Sequence, residues 1–342
     1  MRILKRLFLA VFIVLVLAAG IGMLLPRQVH VERATTIDAP PATVFALVNG
    51  YRRFNEWSPW AALDPQAKYT ISGPPTGVGA KMAWVGDPKK VGSGSQEILE
   101  SRPGELVRTK LDFTGQGVSE ASFRLAPAGP GTRVTWTFDT DMGAGPVGRW
   151  FGLFMGRMIG PDYEKGLAGL KKLGESMPKV DFARLDVKRV DVAARPLAVL
   201  ATRSAKDPVA IGKAIAIAYG EIGKFMHAQK LSMGGAPQTI ETGPFDGADY
   251  VFEASIPVAG TPAAPVPADS RVQLRSGYAG PALQVIHKGA YGNLSATWEQ
   301  IHAYMVANGL EGNGNGWEEY VTDPGSTPEA DLVTHVFVPI KS

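Results

Sequence analysis

The first pattern along the chain is an uncharged apolar run from Leu7 to Leu25. It is preceded by three basic residues, Arg2, Lys5 and Arg6. About 19 residues rising 1.5 Å each form a helix of about 28 Å, which matches a hydrocarbon core of about 30 Å. Residues 1–27 are therefore predicted to be a single-pass anchor, with the rest outside the cytoplasm, on the periplasmic side. A cleaved signal peptide is the alternative, with Ala18-Ala19-Gly20 as a weak cleavage site.

Period-two alternation of apolar and polar residues, typical of strands, dominates residues 30–177. It begins in Val29–Ile37, and a helix is predicted after Asp38, with proline in its first turn. Six strand-like runs follow: Lys68–Ser72, Ala80–Val85, Gly94–Glu100, Leu106–Phe113, Ser119–Leu125 and Arg133–Asp139. A helical stretch from about Pro146 to Glu175 ends the segment. This order predicts an α+β domain, in which a long C-terminal helix closes one curved antiparallel sheet.

Residues 178–186 are predicted to be a linker, and residues 187–342 a second domain with an internal duplication. Apolar helix positions recur at a constant offset of about 79 residues, as repeated units do. The matched pairs are Ile215 and Leu294, Tyr219 and Trp298, Ile222 and Ile301, Phe225 and Tyr304, and Leu231 and Leu310. The predicted unit is βαββ, in halves 187–259 and 270–342. Both helices are expected on one face of a shared sheet, with a concave surface on the other.

Composition excludes several classes of site. The chain has no cysteine, which excludes disulfides, Cys-ligated zinc, iron–sulfur clusters and Cys nucleophiles. The net charge is +3 without a basic stripe or DNA-binding motif, so no nucleic-acid partner is expected. The histidines lack metal-ligand spacing, and neither a phosphate loop nor a G-x-S-x-G motif occurs. We therefore expect no metal, no cofactor and no standard catalytic set.

Glu318 is the leading candidate for a functional residue. Alternation along the predicted strand Glu318–Thr322 places Glu318 and Tyr320 on the same side. An inward carboxylate near Tyr291 and Trp298 would recognise a cation, and desolvation would raise its pKa and make it a base. The competing interpretation is a solvent-facing glutamate, because glutamate is rarely fully buried.

Four other residues are candidate ligand contacts: His287, Trp57, Trp60 and Trp84. His287 ends a strand where the chain enters a helix, which suits either an acid–base group or a structural histidine. The three tryptophans would line a pocket mouth, or else pack in the core beside a turn.

Residues 30–177 resemble the START-like SRPBCC superfamily, associated with polyketide cyclase/dehydrase and lipid transport. The resemblance lies in four motifs: Ile37–Phe45, Trp57–Trp60, Gly77–Trp84 and Asp162–Lys171. It implies a helix-grip fold with an apolar cavity between sheet and long helix. No catalytic set is shared across that superfamily.

Residues 187–342 resemble the GyrI-like effector-binding family, which also occurs in AraC-type regulators. The match lies in Val285–Leu294, Trp298 and Trp317–Pro324. The resemblance implies binding of organic, often cationic, molecules against a central acidic residue at the position of Glu318. Some relatives hydrolyse reactive electrophiles with such a glutamate. A regulator role is not expected, because no DNA-binding domain is recognisable.

Three functions follow from these observations. The first is a membrane-anchored protein that binds apolar or cationic small molecules in two pocket-forming domains. The second is a hydrolase in which Glu318 acts as general base, assisted by Tyr291 or His287. The third is an envelope stress or interaction protein with vestigial pockets. We rank binding first because the folds are suggestive but no catalytic constellation is visible.

Overall fold

A computed structural model describes residues 2–115, 117–243 and 248–341. The chain forms two compact units, residues 1–183 with 303–309 and residues 184–302 with 310–342. The helices are α1 (Arg2–Leu24), α2 (Pro41–Val48), α3 (Phe54–Trp57), α4 (Pro59–Leu63), α5 (Pro146–Glu175), α6 (Pro208–Ala228) and α7 (Leu294–Ala307).

Besides short 3-10 helices at Tyr291–Asn293 and Glu329–Asp331, the rest of the regular structure consists of antiparallel strands. In the first unit they are β1 (Gln28–Ile37), β2 (Lys68–Ser72), β3 (Lys81–Val85), β4 (Ser93–Arg102), β5 (Leu106–Phe113), β6 (Gly117–Ala128) and β7 (Gly131–Asp141). In the second they are β8 (Val187–Val192), β9 (Pro196–Ala205), β10 (Ser232–Met233), β11 (Gln238–Glu241), β12 (Asp249–Ala259), β13 (Gln273–Ser276), β14 (Gly280–Lys288), β15 (Trp317–Tyr320) and β16 (Val333–Pro339).

The first unit begins with α1, whose segment Ile3–Leu24 is long and apolar enough to cross a membrane. A seven-stranded sheet follows, in the order β1-β7-β6-β5-β4-β3-β2. The 30-residue helix α5 runs along β1 and buries Tyr163, Leu167 and Leu170. The predicted α+β class, with antiparallel sheets and a long helix after the sheet, is confirmed and is consistent with a helix grip.

The second unit is built from two βαββ halves that share one sheet. Its strand order is β13-β9-β12-β11-β15-β16-β14-β8, with β10 paired to β12. The halves β9-α6-β11-β12 and β14-α7-β15-β16 therefore meet at β11 and β15. Thr239 pairs directly with Glu318 at this junction. These two residues are 79 positions apart, which is the repeat offset found in the sequence.

Side chains on one face of this sheet follow from the register across its strands. Leu200, Ala254, Thr239 and Glu318 are consecutive partners on β9, β12, β11 and β15, so they point to the same side. Leu200 and Ala254 pack in a core with Ile222 of α6. Glu318 thus lies on the helix-bearing face and not on an opposite concave face. Helix α6 packs over β9 and β12, and residues of the central strands β11 and β15 line a cavity beside it.

Candidate functional site

A cavity of about 1150 Å³ opens above the central strands of the second unit. Strand, α6 and α7 residues all contribute to its lining. They include Ile211, Ile215, Tyr219, Glu241, Tyr250, Tyr291, Leu294, Trp298, Glu318 and Tyr320. The strands of the floor contribute the carboxylates of Glu241 and Glu318, and the charged residues Lys206 and Asp323 also line the cavity, whose walls are otherwise mainly aliphatic and aromatic.

Glu318 lies in the floor of this cavity with its side chain only 7% exposed. The Trp298 indole N–H donates to Oε1 at 2.8 Å, and the Tyr320 hydroxyl donates to Oε2 at 2.7 Å. Thr239 Oγ1 lies 3.4 Å from Oε2. In the described part of the chain, these neutral groups are its polar partners, and no cationic side chain pairs with it.

The neighbouring Glu319 has different partners from Glu318, because its side chain points to the other face of the sheet. Its Oε1 accepts from Arg195 at 2.5 Å and from Gln238 at 2.9 Å. Glu319 is therefore neutralised by the protein's own guanidinium. Burying a carboxylate without such a partner costs free energy, so a cationic ligand would supply what Glu318 lacks.

The aromatic wall is held neutral by its own burial. Burial first, and then the charge of Glu318, raises the pKa of the Tyr219, Tyr250 and Tyr320 hydroxyls above the ordinary value of 10. Tyr291 packs edge-on against Tyr320, with ring centroids 5.3 Å apart. Neutral electron-rich rings near a carboxylate form a suitable environment for an organic cation.

Glu241 is a second carboxylate of the cavity that sequence analysis did not select. Burial, and then the nearby charge of Glu318, raises its pKa from 4.5 to about 7. The signal that would have found it is the repeat itself, since Glu241 plus 79 is position 320, a selected aromatic residue. Tyr219, the repeat partner of Trp298, was missed for the same reason.

Gly316 lets the Trp298 ring reach Glu318. A Cβ atom at Gly316 would lie 2.5 Å from Cη2 of Trp298 and 3.0 Å from its Cζ3. Only glycine leaves room for the indole to pack here. The Gly-rich segment before β15 is thus part of the site's geometry.

The structure brings together four of the residues selected from sequence: Glu318, Tyr320, Tyr291 and Trp298. His287 is buried outside the cavity lining. Its Nδ1 hydrogen-bonds Thr297 Oγ1 at 2.8 Å, and its Nε2 donates to the Ala290 carbonyl at 3.2 Å. Both ring nitrogens therefore have local partners, which suits an orienting role for the start of α7.

The three selected tryptophans belong to the first unit and are not among the residues that line this cavity. Trp57 is 3% exposed and packs edge-on against Trp136, with ring centroids 5.7 Å apart. Trp60 is half-buried and contacts the same Trp136 ring. Trp84 is half-buried, and its indole N–H donates to the Val91 carbonyl at 3.1 Å. A ligand role for these three residues stays a prediction.

Among residues 2–115, 117–243 and 248–341, no group of three or more His, Asp or Glu side chains is arranged to hold a metal ion.

Comparison with known families identifies both units. Residues 28–175 match the family described as polyketide cyclase / dehydrase and lipid transport. Residues 186–341 match the GyrI-like small molecule binding domain. The chain is a polyketide cyclase-type domain followed by a GyrI-like domain. The resemblances drawn from the sequence motifs are confirmed in that order, and the GyrI-like domain is a domain that binds small molecules.

Individual solved structures match this chain only at low sequence identity. No curated protein gives a significant match. The EcmrR C-terminal domain is 16% identical, with 46% of this chain and 98% of that chain covered and a TM-score of 0.41. EcmrR in a complex with DNA is 15% identical, with a TM-score of 0.41. The match covers 46% of this chain and spans 58% of the length of EcmrR. A hydrolase from Listeria innocua is 16% identical, with 45% and 91% covered and a TM-score of 0.31.

Proposed function

We propose that the chain is a membrane-anchored binding protein whose GyrI-like cavity takes amphiphilic organic cations. The observation that supports this most is Glu318, a buried carboxylate with only neutral protein partners in the described residues. A ligand cation would pair with it in a desolvated site, where ionic attraction and cation–π contacts both strengthen.

Cavity size and lining favour a bulky apolar ligand body around that charge. The volume of about 1150 Å³ is slightly above the range typical of drug-sized sites. Ile211, Ile215 and Leu294 supply aliphatic surface, and Trp298 and Tyr291 supply rings. A small hydrophilic cation would leave most of this wall unused, so we expect lipophilic cations to bind more tightly.

The anchor is proposed to be retained, with both domains outside the cytoplasm. Its support lies in α1 packing within the first unit. Trp150 of α5 donates its indole N–H to the Ala18 carbonyl at 2.8 Å, and Arg149 donates to the Leu25 carbonyl at 3.2 Å. Cleavage of a signal peptide would remove partners that these α5 side chains use.

The test uses two ions of the same shape and opposite charge, tetraphenylphosphonium and tetraphenylborate. Isothermal titration of the full chain in detergent is expected to show binding of the phosphonium only. Glu318→Gln should weaken it by about tenfold to a hundredfold, as expected for loss of roughly 1.5–3 kcal/mol of a charged interaction. Glu299→Gln, an exposed carboxylate next to Trp298, is the matched control. Equal binding of both ions, or unchanged affinity in Glu318→Gln, would refute the proposal.

Hydrolysis is a second candidate, and the paired carboxylates of the cavity favour it. Glu241, with a pKa of about 7, is suited to accept or donate a proton at neutral pH. Glu318 would stabilise positive charge that develops nearby. Turnover of epoxide or ester substrates that disappears in both Glu241→Gln and Glu318→Gln would support this activity. Turnover that survives both changes would exclude this pair as its machinery.

A further inference from the structure

The first turns of α5 carry an apolar surface that the first unit leaves uncovered. Besides Trp150, five large side chains there are exposed, although such residues usually pack in a core. They are Val147, Phe151, Leu153, Phe154 and Met158. The remaining part of α5, from Gly160 onward, buries Tyr163 and Leu167 against the sheet. One helix thus has a packed C-terminal half and an apolar, open N-terminal end.

Contacts with α1 define how far along the apolar helix the N-terminal end of α5 lies. The Trp150 indole is bonded to the Ala18 carbonyl, six residues before the last residue of α1. At 1.5 Å per residue, that carbonyl lies about 9 Å inside the end of the apolar helix. A Cβ atom at Gly22 would lie 2.7 Å from Pro146 Cβ, so the start of α5 sits directly against α1. A bilayer spanned by α1 therefore reaches the first turns of α5.

Charge on this end suits a lipid surface. No acidic residue occurs between Asp141 and Asp162, whereas Arg149 and Arg157 both lie in that stretch. Arg149 donates to the Met23 and Leu25 carbonyls, which have no intrahelical partner at the end of α1. Apolar side chains together with basic residues are the composition of interfacial membrane helices.

We propose that the N-terminal end of α5, from Val147 to Phe154, inserts into the interfacial region of the bilayer that α1 spans. The proposal rests on the retained anchor described above and goes beyond ligand binding. Two apolar elements, α1 and the start of α5, then hold the first unit on the membrane. Insertion would also cover the exposed apolar patch, for which the protein itself supplies no cover among the described residues.

The test exploits the lack of cysteine in the chain. Single variants Val14→Cys, Val147→Cys and Val209→Cys carry an environment-sensitive fluorophore, in full-length protein reconstituted into vesicles of phosphatidylcholine and phosphatidylglycerol. Val147 and Val209 are matched, since they are 80% and 79% exposed and each follows a proline at a helix start. Lipids bearing nitroxide groups on their acyl chains serve as quenchers.

We expect at least about a twofold loss of emission at Val14 and Val147, and little loss at Val209, because interfacial helices bury their apolar face about 5–10 Å deep. Quenching at Val14 but not at Val147 would overturn the α5 proposal while leaving the anchor intact. Absence of quenching at Val14 would overturn both. A disulfide between two chains of unlabelled Val147→Cys protein treated with an added oxidant, together with no quenching at labelled Val147→Cys, would assign the patch to a second copy instead of lipid.

Discussion

Glu318 lies at a position where the two copies of the repeat carry different residues. Thr239 and Glu318 face each other across the central strand pair, 79 residues apart. At this position only the second copy carries a carboxylate, so Glu318 has no acidic counterpart in the first half. The aromatic positions Tyr219 and Trp298 are equivalent in the same way and flank that charge from α6 and α7. The repeat therefore places aromatic residues at equivalent positions in the cavity wall, whereas the floor carries threonine in one half and glutamate in the other.

Gly316 provides a prediction about the geometry of this floor. Gly316→Ala places a methyl group against the Trp298 ring, which must move away from Glu318 Oε1. We expect phosphonium affinity to fall by about tenfold, since one charged hydrogen bond and its ring contact are displaced. Gly212→Ala is the control, because a Cβ atom there meets nothing within 4 Å although the residue also lines the cavity. Equal affinity in the two variants would show that the Trp298 position does not matter.

Glu241 predicts a pH dependence of cation binding. With a pKa of about 7, raised by burial and by Glu318, it is neutral near pH 6 and ionised near pH 8. Phosphonium affinity should therefore rise with pH by about fivefold, the ratio that corresponds to roughly 1 kcal/mol. The cavity tyrosines have raised pKa values and do not titrate in this range.

The phosphonium itself carries a fixed charge, so the change reports on the protein. Glu241→Gln should flatten the profile between pH 6 and pH 8, while Glu299→Gln should leave it unchanged. Titration calorimetry at the two pH values measures this. A pH profile that survives in Glu241→Gln would assign the titrating group elsewhere.

At the scale of elements, an N-cap hydrogen bond orders the first turn of α6, which lines the cavity. The Asp207 carboxylate accepts from the Ala210 amide at 2.9 Å and caps the helix. Asp207→Ala should loosen this turn by about 0.5–2 kcal/mol, the usual loss for an N-cap. Hydrogen exchange of the first-turn amides should accelerate accordingly, and Asp207→Asn, which keeps an acceptor oxygen, should show little change. Unaltered exchange in Asp207→Ala would show that the cap does not order α6.

The sequence was most informative about which elements form. Alternation predicted β2 and β5 with their observed bounds. β1, β4, β6 and β7 extend one to three residues beyond the predicted runs, whereas β3 begins one residue later than predicted, at Lys81. Pairing with a neighbouring strand extends those four strands past the residues whose apolar and polar positions alternate. The edge strands β8 and β13 were not predicted, since they are short and form only by pairing with β14 and β9.

The sequence was least informative about which face of the second sheet carries the cavity. Alternation placed Glu318 and Tyr320 on the same side, but it does not say which side the helices cover. That depends on how far apart α6 and α7 lie, which follows from tertiary packing and not from periodicity. Glu241 was missed because a charged residue on a short strand normally signals a solvent-exposed face.

At the scale of the whole molecule, the predicted orientation in the membrane is directly testable. Val209→Cys, on the second unit, should react with a membrane-impermeant maleimide in intact spheroplasts. Lys5→Cys, before the apolar run, should react only after the membrane is permeabilised, because the positive-inside rule places it in the cytoplasm. The reversed pattern would contradict the proposed topology, and a mature mass lacking residues 1–27 would contradict the anchor.

The most direct test of a cation held at Glu318 is a crystal structure with tetraphenylarsonium, whose arsenic atom scatters anomalously. We predict one strong anomalous peak inside the GyrI-like cavity, within about 6 Å of the Trp298 and Tyr291 rings. The same peak should be absent from Glu318→Gln crystals grown at equal ligand concentration. An arsenic peak only on the protein surface, or one in the cavity that is undiminished in Glu318→Gln, would contradict the account.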